Sequence, residues 1–125
     1  MTGEALGVYI HIPFCKARCR YCDFNTYSGL EKLILEYTQA LLIELQIWRA
    51  LSLSAKSIYF GGGTPSLLPY ENLKLVLEAC RTSFDIVNGA EITLEANPGT
   101  IARGYLENIK KIGVNRLSMG VQSFD

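Results

Sequence analysis

Strand-like and helix-like segments alternate along this chain, and that alternation limits its fold more than any other feature. "GVYIHI" at 7–12 is a β-branched and aromatic run that reads as a strand. Residues 30–51 follow with a helical period, Leu33, Tyr37, Leu41, Leu45 and Trp48 sharing one face. "KSIYF" at 56–60 is a second strand, cut off by three glycines. "PYENLKLVLEACRTSF", 69–84, reads as a second helix with Pro69 suited to its first turn. "AEITLEA", 90–96, is a third strand, closed by the turn signal Asn97-Pro98-Gly99. Residues 100–113 form the third predicted helix, with Thr100 as N-cap and Gly113 as C-cap around the apolar Tyr105, Leu106, Ile109 and Ile112. "VNRLSMGV", 114–121, is the fourth strand. The order βαβαβαβ predicts an α/β fold with right-handed crossovers and a parallel sheet. No repeat or low-complexity tract interrupts it. The sequence reaches Asp125 just after strand four with no closing helix, as expected for a portion of a larger barrel or doubly wound fold.

The 125 residues suit one domain, and 49% hydrophobic against 19% charged residues can fill a core. A formal net charge of zero provides no global field for nucleic acid or an acidic membrane. The helical stretch 30–51 is interrupted by Glu31, Lys32, Glu36 and Glu44, so no membrane span is expected. "MTGEALG" carries no secretory signal. A cytoplasmic location is the expectation, and there clustered cysteines bind metal or do redox chemistry more often than they form disulfides.

Parallel α/β folds place their chemistry at the carboxyl ends of the strands. Each predicted strand here ends in a polar or glycine-rich group. After strand one, "HIPFCKARCRYCDF" holds Cys15, Cys19 and Cys22 spaced C-x-x-x-C-x-x-C. Three thiolates can hold a metal centre and leave one position vacant; a cubane iron–sulfur cluster normally takes four. Lys16, Arg18 and Arg20 favour thiolate over thiol. The alternative is a zinc site completed by His11 or Cys80. Cys80 recurs with Leu73, Val76, Leu77 and Phe84 at helical spacing, which points it into the core as a small hydrophobe. Strand two runs into "GGGTP", 61–65, where backbone can approach a ligand closely and amide N–H groups can bind a polar group; a tight turn is the plainer reading. The lysine of a P-loop is absent. Glu95 ends strand three on the face of Thr93 and Glu91, placed to bind an ammonium or hydroxyls, or merely to sit ion-paired at the surface. Gln122 follows strand four. His11 shares a face with Tyr9 and reads as a structural, hydrogen-bonded histidine.

"YIHIPFCKARCRYCDF", "IYFGGGTPSLL", "ITLEANPGT" and "NRLSMGVQSF" together resemble the radical S-adenosylmethionine (SAM) superfamily, in particular its haem chaperone (HemW-type) branch and the neighbouring oxygen-independent coproporphyrinogen III oxidases. The resemblance implies that 1–125 is the N-terminal part of one radical SAM core domain, a partial (β/α)6 TIM-like barrel, with later barrel units and a C-terminal domain absent. It implies a [4Fe–4S] cluster on Cys15, Cys19 and Cys22, whose open iron is chelated by SAM. Tyr9 matches a residue beside the SAM site and Tyr21 one lining the cofactor cavity. Gly62, Gly63 and Thr64 match the glycine-rich contact to the methionine part, and Glu95 and Gln122 match side chains that hydrogen-bond the cofactor.

The oxidases resemble C-x-x-x-C-x-x-C-x-C, whereas this chain carries Phe24 at the last position. That favours a haem-binding chaperone, with haem or porphyrin as cargo and haem-acceptor proteins as partners, over an enzyme of porphyrin biosynthesis. Coproporphyrinogen oxidation by a 5′-deoxyadenosyl radical is the enzyme alternative, and an inactive truncated product a third.

Overall fold

The computed structural model describes residues 4–14 and 27–119. Among them the chain forms β1 (Leu6–Ile12), α1 (Tyr27–Arg49), β2 (Ser54–Gly62), α2 (Tyr70–Ser83), β3 (Asp85–Ala96), α3 (Arg103–Ile112) and β4 (Arg116–Met119). Short 3-10 turns at Pro65–Leu67 and Pro98–Thr100 follow β2 and β3. The strands pair in the order β1-β2-β3-β4, all parallel. This is the α/β alternation expected from the sequence.

Register gives the sheet two unlike faces. Ile10 pairs with Phe60, Phe60 with Leu94 and Leu94 with Leu117. The first three are buried and join Leu73, Leu77 and Ile109 of the helices in one core. One residue back, Tyr9 pairs with Tyr59, Tyr59 with Thr93 and Thr93 with Arg116. Period-two alternation therefore sends every second side chain away from the helix layer, and those residues are polar.

Helix α1 starts earlier and stops sooner than predicted, and its inward face runs through Ile34, Thr38 and Leu45. The Leu33–Tyr37–Leu41–Leu45 stripe has a spacing of four, which drifts about 40° per step on a helix of 3.6 residues per turn. Leu33, Tyr37 and Leu41 are consequently half-buried, and Trp48 is 43% exposed. Buried Thr38 donates to the Ile34 carbonyl at 2.7 Å and accepts from Asn72 Nδ2 at 3.1 Å, joining α1 to α2. Tyr37 donates from its hydroxyl to the His11 carbonyl, meeting an acceptor on the edge strand β1.

Several boundaries differ from the sequence reading. Pro69 is the N-cap of α2 rather than a first-turn residue: its carbonyl accepts from Asn72 and Leu73, and its ψ is 148°. Thr100 does not cap α3. Asn97 Oδ1 accepts from the Gly99 N–H at 3.0 Å, the turn closes as a 3-10 turn through Thr100, and Ala102 becomes the N-cap. Gly113 does cap α3, at φ 118°, where the Arg81 guanidinium reaches over it to the Ile112 carbonyl. Strand β3 starts at Asp85, five residues before its predicted start at Ala90, and passes through a bulge at Asn88-Gly89. Gly89 has φ 80°, and the register jumps from Ala55↔Ile86 to Ser57↔Glu91.

Asn115, just before β4, is bonded to β3 three times. Its side-chain oxygen accepts from Ile92 N–H at 2.8 Å, its Nδ2 donates to the Ala90 carbonyl at 2.9 Å, and its own N–H donates to the Ile92 carbonyl at 3.0 Å. A groove of about 530 Å³ between α3 and β4, lined by Leu106, Ile109, Val114 and Leu117, leaves apolar surface uncovered. No helix among the described residues is long and apolar enough to cross a membrane.

Candidate cofactor site

The carboxyl ends of β2, β3 and β4 meet at a cleft of about 280 Å³ lined by Gly63, Thr64, Glu95, Ala96, Asn97, Ser118 and Met119. Among the described residues Glu95 is its one charged lining group. It arrives there because it follows Leu94 on β3, one residue beyond the Phe60–Leu94 pair, and lies opposite Ser118.

Two donors from β2 fix this carboxylate. Gly62 N–H donates to Oε1 at 3.0 Å, and the Tyr59 hydroxyl donates to Oε2 at 2.7 Å. Each carboxylate oxygen has two acceptor positions, so both retain capacity. The hydrogen bond to Glu95 holds the Tyr59 phenol above its ordinary value, with Ser118 acting in the opposite sense.

The glycines act differently from the sequence reading. The N–H groups of Gly62, Gly63 and Thr64 are all used inside the protein: on Glu95, on the Ile12 carbonyl at 2.8 Å and on the Phe14 carbonyl at 2.6 Å. These three amides are therefore engaged within the protein rather than left open as a cradle. Close approach is nevertheless why the residues are glycine. A Cβ on Gly61 would lie 2.8 Å from both Tyr59 Cε1 and the Tyr9 hydroxyl. A Cβ on Gly62 would lie 2.7 Å from the His11 ring and 2.9 Å from the Ile12 carbonyl, and φ there is 120°.

Tyr9 is 58% exposed and stacks on Tyr59, ring centroids 5.8 Å apart at 15°. It joins the site through Tyr59 and does not line the cleft. It lines instead a groove of about 360 Å³ between β1 and α1, with Tyr37, Leu41 and Trp48. His11 is exposed, its ring tilted against Tyr9 at 6.2 Å. Of the predicted site residues, the fold thus gathers Gly62, Gly63, Thr64 and Glu95 and places Tyr9 one ring away. Cys15, Cys19, Cys22, Tyr21 and Gln122 lie outside the described residues. The chain segment leading to Cys15 is nonetheless tied to the cleft, because Phe14 is bonded to Thr64.

Cys80 is a free, buried thiol in the helix-side core, and burial pushes it up to about 12. It lies in the layer opposite the polar face, as its helical spacing predicted. No group of three or more potential metal ligands occurs among the described residues.

A carboxylate held by two donors at the rim of a polar cleft suits a cationic or hydroxyl-bearing small molecule. The sequence profile described as the radical SAM superfamily matches residues 9–125. This chain belongs to the radical SAM superfamily. It is 42% identical to the haem chaperone HemW of Synechocystis, over 98% of this chain and 32% of that protein. It is 35% identical to the oxygen-independent coproporphyrinogen III oxidase of Paracoccus denitrificans, over 99% of this chain and 28% of that protein. Among solved structures, the radical SAM enzyme coproporphyrinogen III oxidase (HemN) from Escherichia coli superposes with a TM-score of 0.84 at 32% identity, covering 97% of this chain and 29% of that one. The α/β alternation therefore matches the TIM-like radical SAM barrel, of which the described sheet is a part. The chain spans about a third of the length of the curated relatives it matches.

Tyr59 and Ser118 are absent from the sequence-derived site. Register brings them in: Tyr59 lies two residues before Gly61 on the face of Tyr9, and Ser118 pairs with Glu95 across β3 and β4.

Proposed function

We propose that this chain is the N-terminal part of the radical SAM core of a haem chaperone. In this reading a [4Fe–4S] cluster sits on Cys15, Cys19 and Cys22, SAM lies over the strand ends, and haem is carried as cargo to acceptor proteins. The observation that carries the cofactor part is the Glu95 carboxylate, held by Tyr59 and Gly62 at the rim of a polar cleft. Its charge and spare lone pairs suit the ammonium of an amino acid, and the cleft's volume is below the usual 300–1,000 Å³ of a whole-ligand pocket, so it suits one end of a larger molecule. The donor set of three thiols suits a cluster with one open iron, and Phe14 bonded to Thr64 brings the start of the cysteine loop to this cleft. Cluster and SAM together supply one-electron chemistry. Tyr9, Tyr21 and Gln122 complete the cofactor contacts in this reading.

Phe24 favours the chaperone over the oxidase, because an apolar ring replaces a thiol with ligand or proton-donor capacity. The oxidase reading has its own support in the superposition on HemN. Anaerobic reconstitution of the intact protein separates them. The expected result is a brown protein that loses its cluster in Cys15→Ala, Cys19→Ala or Cys22→Ala, keeps it in Cys80→Ala, and binds haem and SAM. Turnover of coproporphyrinogen III to protoporphyrinogen IX without haem retention would favour the oxidase. Colourless protein with stoichiometric zinc would remove the cluster reading altogether.

A further inference from the structure

We propose that Tyr59 is a positioning residue of the SAM site, its hydroxyl fixing the plane of the Glu95 carboxylate so that the remaining lone pairs face the cleft. The inference rests on the reading of Glu95 given above and goes beyond it by naming what orients that side chain.

A glutamate on an open strand end has three side-chain torsions to restrain before it can serve a ligand. Here the restraint comes from the neighbouring strand. Gly62 N–H fixes one oxygen at 3.0 Å and Tyr59 the other at 2.7 Å. Two donors on two oxygens set both the position and the rotation of the carboxylate, whereas one would leave it free to turn. The Tyr59 contact has the short length of a charge-assisted hydrogen bond.

Tyr59 is itself held. Its ring stacks on Tyr9, and both rings occupy space that a side chain at position 61 would fill. Gly61 therefore lets two tyrosines lean over the strand end, and through Tyr59 that geometry reaches Glu95. The phenol stays a donor across the neutral range, since the bond to Glu95 raises it above its ordinary value. A carboxylate arranged before the ligand arrives binds more tightly than one that must be ordered on contact.

The test measures SAM affinity by equilibrium dialysis on intact, cluster-loaded protein, with iron content and cluster absorbance read alongside. Tyr59→Phe is expected to weaken SAM binding about ten-fold, the effect of one charge-assisted hydrogen bond, at unchanged cluster content. The double variant Tyr59→Phe/Glu95→Gln should bind no more weakly than Glu95→Gln alone. Undiminished binding in Tyr59→Phe, with Glu95→Gln impaired, overturns the inference and leaves the site standing; additive losses overturn it as well. Undiminished binding in Glu95→Gln overturns the reading of the site itself. A fluorinated tyrosine at position 59 keeps the ring and hydroxyl but makes the phenol more acidic, so it serves if the phenylalanine variant does not fold. Its SAM binding should fail at lower pH than in the wild type, and an unmoved alkaline limb counts against Tyr59.

Discussion

The two faces of the sheet differ by one residue of register and by nearly everything else. On the helix side, Ile10, Phe60 and Leu94 form a closed apolar row. On the other, Tyr9, Tyr59, Thr93 and Arg116 form a polar row, anchored at its far end by an Arg116–Glu91 pair at 3.5 Å. The same strands supply both. Parallel pairing keeps the rows aligned, so alternate residues can build a core and a polar surface without competing for positions. Stability and ligand affinity should accordingly respond to different substitutions.

The largest expected effect lies on the apolar side. Phe60→Ala should cost about 3–5 kcal/mol in urea unfolding, because the ring is fully buried. SAM affinity of the folded fraction should hold, and a parallel loss of affinity would break the division between faces.

Gly62 is where the division should fail. An alanine there meets the His11 ring and the Ile12 carbonyl at a φ of 120°. A cost of about 1–3 kcal/mol is expected, and because Gly62 N–H also holds Glu95, SAM affinity should fall too. Thermal melting and dialysis on one preparation read both.

Cys80→Ala should cost about 1 kcal/mol at neutral pH, a modest core truncation. Its pH dependence is more telling. The unfolded thiol ionises near 9 and the folded one at about 12, so the native state holds its proton longer. Stability from this group is complete below pH 9 and is lost as pH rises toward 12. Tyr105, raised by burial from 10 to about 12, acts in the same direction. The alanine variant should show a shallower alkaline decline in melting temperature; an identical slope would mean that Cys80 ionises freely in the native state.

Smallest is Glu91→Gln. Its partner and itself are about half exposed, and such pairs contribute about 0.2–1 kcal/mol at low salt and less when screened. A loss well above that would give the polar row a structural role that its exposure does not suggest.

The strands were legible in the sequence because their alternation is a local pattern, and Glu95 because a strand-terminal carboxylate opposite Ile92 and Leu94 stands out. Tyr59 was not, since in sequence it is one more half-buried tyrosine; its role exists only once β2 and β3 are in register. The same holds for the glycine amides, whose acceptors Ile12 and Phe14 lie some fifty residues away along the chain. Pro69 fits a first-turn position and Thr100 a cap motif locally. The structure instead uses Pro69 as the cap of α2 and Ala102 as the cap of α3, after a turn in which Asn97 closes on Gly99.

Strand β4 has four residues among those described, Arg116–Met119. Asn115 helps to set the phase in which this strand pairs with β3. Its side-chain amide imitates a peptide group, reading the donor of Ile92 and the acceptor of Ala90 at once, so it can seat at one point along β3. A slip by a single residue would set Leu117 or Met119 beside Glu95 and turn Ser118 toward the helices. The hydroxyl in the cleft is thus gauged from outside it, by an amide that measures where the last strand starts.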